Sequence, residues 1–116
     1  MTDTTETPSS ISTANENFVL DHVASISSQL LRVSHDLHAH PEIRFEEVHA
    51  ADLLTGELAD LGFTVERGIG GLPTAFLASH GSTDDGPTIA YFLEYDALEE
   101  IGHACGHNVI ASMEIG

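Results

Sequence analysis

The sequence predicts an α/β fold. Three observations carry it: two amphipathic helical stripes precede any strand-like run, short alternating and continuous apolar runs follow them, and Gly- and Pro-containing turns separate the pieces. With 116 residues, 41% of them apolar, the chain has material for one modest core.

Residues 1–14 are rich in Thr and Ser, carry Pro8 and hold little apolar surface beyond Met1 and Ile11. They are predicted to be a disordered tail ahead of a domain portion spanning 15–116. Val19, Val23, Ile26, Leu30, Val33 and Leu37 then recur at spacings of four and three, which places them on one stripe of a helix. Asn15 or Asn17 is placed to cap its start, and Pro41 ends it at His40 by disfavouring helical geometry in the preceding residue. A second helix is predicted from about Arg44, with Val48, Ala51, Leu54, Leu58 and Leu61 on one side and Gly62 as its left-handed terminator.

Phe63 and Val65 alternate with Thr64 and Glu66 as a half-buried strand, which Gly68, Gly70 and Gly71 interrupt. Thr74 to Ala78 reads as a second strand. The turn Asp84-Asp85-Gly86-Pro87 launches Thr88 to Leu93, a continuous apolar run of the kind shown by a strand covered on both faces. That run is predicted to be central in the sheet. Val109 to Met113 then opens a further helix.

Three arginines (Arg32, Arg44, Arg67) face 19 acidic residues, for a formal charge of −16. Counterion-release binding to nucleic acid needs clustered cations, so that class of partner is excluded. The acidity itself reads as a solvated, salt-tolerant surface. The longest apolar run, Ile89 to Leu93, is far short of a membrane span, and the N-terminus lacks the basic-then-apolar order of a signal peptide. A single cysteine, Cys105, makes no intrachain disulfide, and a cytoplasmic location is the expectation.

Chemistry-bearing residues concentrate near the C-terminal end. His103, Cys105 and His107 occupy alternate positions around Ala104 and Gly106, and all three are ligand types for zinc. Glu94 and Asp96 leave the end of the predicted central strand, where open α/β sheets place their crevices. Spacing alone leaves two readings open: a metal site, or a buried thiol flanked by hydrogen-bonded histidines. A Cys-His nucleophile pair matches poorly, since thiol hydrolases draw the imidazole from distant sequence. His35, His38 and His40 are read as helix-end capping and packing residues, and His22, His49 and His80 as isolated.

The heptad Gly102-His103-Ala104-Cys105-Gly106-His107-Asn108 resembles the metal-binding signature of the amidohydrolase branch of the aminoacylase and carboxypeptidase metallopeptidases. Leu37-His38-Ala39-His40-Pro41-Glu42-Ile43-Arg44-Phe45-Glu46-Glu47 resembles that branch's N-terminal helix boundary. Glu94-Tyr95-Asp96-Ala97-Leu98 resembles the segment ending its central strand. The combination is most similar to aminobenzoyl-glutamate hydrolases and aminoacylase-like dipeptidases, and Asn108, where many relatives carry Asp, supports the dipeptidase-like subgroup.

The resemblance implies the N-terminal part of a three-layer, zinc-peptidase-like catalytic domain, two helices followed by strands of a mixed sheet, cut short. It implies hydrolysis of amide bonds in N-acyl amino acids or dipeptide-like small molecules, through metal-bound water and two divalent ions, zinc or manganese. By the motif, Cys105 and His107 are metal ligands, Asp96 is the aspartate that orients a ligand or tunes the water, and His103 is not counted as a ligand. The family's catalytic glutamate, its further ligands and its lid domain lie downstream of the matched motifs, so the 116 residues alone are expected to be inactive. A homo-oligomer of the full-length protein is compatible with the resemblance. The rival reading is a non-catalytic acidic module, derived from such an enzyme, that binds a metal or a protein.

Overall fold

A computed structural model describes residues 12–116. The tail expected over 1–14 falls almost entirely outside them. Helix α1, Thr13–Ala39, starts earlier than expected, because Ser12 rather than Asn15 or Asn17 is its cap: the Ser12 hydroxyl accepts from the Asn15 amide at 3.3 Å. The helix ends at His40, as Pro41 requires, with the His40 amide donating to the Asp36 and Leu37 carbonyls.

Helix α2, Val48–Asp60, begins four residues later than the hydrophobic pattern suggested. The reason lies in the intervening loop. Ile43 is held in a parallel bridge to Ala97, and Phe45 adopts a left-handed backbone (φ +68°), so neither can join a helix. The Glu42 carboxylate supplies the missing cap, accepting from the His49 amide at 2.9 Å and the Ala50 amide at 2.8 Å. At the other end Gly62 turns the chain at φ +92°, as its position predicted, and the Phe63 amide returns to the Leu58 carbonyl at 3.0 Å.

Two strands follow, β1 (Thr64–Arg67) and β2 (Phe76–Ser79), paired antiparallel with Thr64 opposite Ser79 and Arg67 opposite Phe76. The glycines between them form a short 3₁₀ turn, Ile69–Gly71. This hairpin lies on α2. Helix α3, His107–Ile115, is the helix expected from Val109, extended by two residues at its start, and it lies along the C-terminal half of α1. Three helices and a two-stranded sheet make the α/β class plain.

One expectation is overturned. Thr88 to Leu93 forms no strand, and its side chains up to Phe92 face solvent, with Ile89 74% and Phe92 84% exposed. A strand buried on both faces needs a partner on each side to pair its amides and carbonyls, and among the described residues none lies alongside. Of three anticipated strands, two are formed.

The core is Val33 and Leu37 from α1, Ala50, Leu54 and Leu58 from α2, and Ala111 and Ile115 from α3. Phe63, Val65 and Phe76 close it from the hairpin side and Leu93 and Tyr95 from the other. The N-terminal half of the α1 stripe finds no cover: Val19 and Val23 are exposed.

Candidate metal centre

The site is built where the segment ending at Asp96 meets the start of α3. Its anchor is a hydrogen-bonded layer beneath it. Glu47, buried, accepts from the Phe45 amide at 2.8 Å and from the Thr74 hydroxyl at 2.6 Å. Tyr95 donates its hydroxyl to the Thr74 carbonyl at 2.5 Å and stacks on Phe76, with ring centroids 5.7 Å apart. Burial, reinforced by the Glu47 charge, raises the Tyr95 phenol above its ordinary range, so it stays a neutral donor. On the other flank the Ala97 amide donates to the Glu42 carbonyl at 2.7 Å. Asp96 is thus fixed by both of its chain neighbours.

α3 is held by two polar contacts to α1. The Asn108 side-chain amide donates to the Ser34 hydroxyl at 3.1 Å and carbonyl at 3.3 Å, and the Ser112 hydroxyl donates to the Leu30 carbonyl at 2.6 Å. The turn before it runs from His103, whose carbonyl accepts the Gly106 amide, and Gly106 caps α3 in a left-handed conformation (φ +82°) that a residue with a Cβ adopts only at a cost.

These supports bring His107 onto Asp96. His107 Nδ1 lies 2.8 Å from the Asp96 carboxylate Oδ1 and 3.0 Å from the Asp96 carbonyl, so two acceptors place the proton on Nδ1. Nε2 faces the Glu94 carboxylate, 3.4 Å from Oε2. A histidine whose Nδ1 is committed to a carboxylate, leaving Nε2 on the opposite side of the ring, has the arrangement that metal-ligating histidines show. Cys105 lies exposed on the adjacent turn, two residues before His107. Its thiol is not part of any three-donor set converging within 4.8 Å among the described residues. Of the three residues singled out by sequence, Asp96 and His107 are therefore in contact, and Cys105 lies two positions before His107 in the chain.

His103 lies apart from this pair in character. It is 8% exposed and its Nδ1 has no hydrogen-bond partner. Burial, with the nearby His38 and His107 adding to it, depresses its pKa below the ordinary imidazole value, so the ring is neutral.

Sequence reasoning missed one constellation. Asp36, His40 and His49 converge, each offering a donor atom within 4.8 Å of the others. Asp36 and His40 are four apart, one helical turn, which was the available signal. His49 is more distant in sequence and sits in the first turn of α2, where Glu42 accepts its backbone amide.

No protein-family model matches the chain. Individual relatives do. The chain is 35% identical over 112 residues to a p-aminobenzoyl-glutamate hydrolase of Escherichia coli, an alignment covering 82% of this chain and 23% of that protein. It is 31% identical over 108 residues to thermostable carboxypeptidase 1 of Saccharolobus solfataricus, covering 81% and 27%. It is 34% identical over 104 residues to Xaa-Arg dipeptidase of Mus musculus, covering 82% and 24%.

The chain is consistent with a fragment of an amidohydrolase of the aminoacylase and carboxypeptidase kind. It spans about a quarter of the length of the curated relatives it matches. As their names state, those relatives are hydrolases and peptidases, the class to which this chain's motifs pointed. Among the described residues no helix is long and apolar enough to cross a membrane.

Proposed function

We propose that the protein is a metal-dependent hydrolase of amide bonds in N-acyl amino acids or dipeptide-like small molecules, acting in the cytoplasm, and that these residues contribute one part of its site. The observation that carries the proposal is the Asp96–His107 pair: Nδ1–H held by the carboxylate and backbone of Asp96, Nε2 facing Glu94, and a thiol two residues away. Imidazole nitrogen, thiolate sulfur and carboxylate oxygen form a donor set that fits zinc, and replacing sulfur by oxygen-rich partners would favour manganese. The relatives' names support the amide-hydrolase reading and leave the number of ions to the motif, which implies two.

In this scheme His107 Nε2 and the Cys105 thiolate would hold the ion. Asp96 works through His107: it keeps the proton on Nδ1, fixes the ring plane and raises the basicity of Nε2. Bound there, a divalent ion supplies Lewis acidity for the scissile carbonyl and lowers the pKa of water. Glu94, on the Nε2 side, adds negative charge that draws a cation in.

Titration with Co²⁺ tests the donor set. The expected result is a near-ultraviolet sulfur-to-cobalt charge-transfer absorption that Cys105→Ala abolishes and His107→Ala weakens. An absorption that survives Cys105→Ala, or none in the unaltered chain, overturns the ligand assignment.

A further inference from the structure

The junction of α1 and α2 carries a second donor set that shares no residue with the first. Asp36 sits in the last turn of α1, His40 is its C-terminal cap, and His49 is the second residue of α2. His49 Nε2 lies 2.6 Å and His40 Nδ1 3.0 Å from the same Asp36 oxygen, Oδ1, and the two rings lie with centroids 4.3 Å apart at 33°. All three side chains reach solvent, at 57% for His40, 41% for His49 and 31% for Asp36, so an ion has an open approach.

We propose that Asp36, His40 and His49 form a second divalent transition-metal site, a two-histidine, one-carboxylate set that takes Zn²⁺ and completes its shell with water. Three arguments support it. Two imidazoles and a carboxylate are the ligand types of three-donor zinc sites, which leave a fourth position open. The set lies at the C-terminal end of a 27-residue helix, where the free carbonyls present the negative end of the dipole and favour a cation. The net charge of −16 concentrates cations at the surface in general. In the metal-free arrangement His40 Nδ1 and His49 Nε2 both face Oδ1, and His40 Nδ1 also lies 2.9 Å from the Asp36 carbonyl. To hold the ion, His40 Nδ1 and His49 Nε2 must present lone pairs and carry their protons on the opposite nitrogens.

The test uses the Cys105→Ser, His107→Ala variant of the chain, so that the Cys105–His107 site is silent and its failure is scored separately. Zn²⁺ titration by calorimetry, with the ring proton and nitrogen resonances of His40 and His49 followed by NMR, is expected to show one equivalent bound and both rings shifted. Adding His49→Gln is expected to weaken binding by at least about tenfold, since loss of a ligand costs no less than loss of its supporting partner. Circular dichroism of that variant is expected to match its parent, because His49 is half exposed. Zinc binding unchanged by His49→Gln and His40→Gln, binding without shifts at either ring, or no binding at all overturns the site.

Discussion

The position of His107 depends on how α3 is held, and Asn108→Ala is the substitution that measures it. Asn108 is 7% exposed and spends both amide hydrogens on Ser34, at 3.1 and 3.3 Å. Each neutral hydrogen bond contributes about 0.5–1.5 kcal/mol net, so the loss of two is worth about 1–3 kcal/mol. No charge changes, and Ala is a better helix former than Asn, which offsets a few tenths of that figure. The assay is native-state hydrogen exchange of the α3 amides, read against those of the β1–β2 hairpin, which lies on α2 instead. At about 1.4 kcal/mol per tenfold, protection in α3 is expected to fall roughly 5- to 150-fold while the hairpin changes less. Ser112→Ala removes one bond of 2.6 Å to the same helix, and the two substitutions, one turn apart, are expected to be non-additive. Unchanged protection in α3, or an equal loss in the hairpin, would refute the idea that these two side chains dock the helix.

Asp96→Asn is expected to weaken Zn²⁺ binding at His107 and Cys105 by about 10- to 100-fold, measured by competition with a chromophoric chelator, and equal affinity would deny Asp96 its orienting role. Gly106→Ala forces a Cβ into a left-handed backbone with open space around it, so the cost is conformational alone, about 1–2 kcal/mol by denaturant unfolding. For Glu57, burial pushes the carboxyl upward, but hydrogen bonds from Arg32 and Gln29 and the Arg32 charge outweigh it, and its pKa lies below the ordinary value. A lowered folded-state pKa stabilises above the unfolded value, about pH 4.3, and that contribution disappears as pH falls through the folded value. The stability difference between the unaltered chain and Glu57→Gln is therefore expected to be present at pH 6 and to shrink on acidification; a difference independent of pH would contradict it.

How far the sequence could be read depended on the range of the interaction concerned. The stripe on α1 and the apolar face of α2 are local patterns, and Leu37, Leu54 and Leu58 lie in the core where the periodicity put them. Gly62, too, is a local signal, since a left-handed turn after a helix needs little else. The start of α2 was not legible, because it is set by Glu42 capping amides seven and eight residues onward and by Ile43 bridging to Ala97, 54 positions away. The run Thr88–Leu93 was misread as a paired strand for the same reason: composition reports that a segment can be buried between neighbours, and the neighbours must then be present. The heptad resembled a metal-binding signature in sequence, whereas the contact of His107 with Asp96 comes from geometry. His49 carried no sequence signal at all.

Glu42 serves two masters. Its carboxylate seats the first turn of α2, and with it His49, while its carbonyl receives the Ala97 amide beside Asp96. The two donor sets share no ligand, yet they hang from one residue. Because Glu42 accepts the backbone amide of His49, a side-chain substitution at His49 keeps that cap, whereas a substitution of the Glu42 side chain removes it while leaving the carbonyl that receives Ala97.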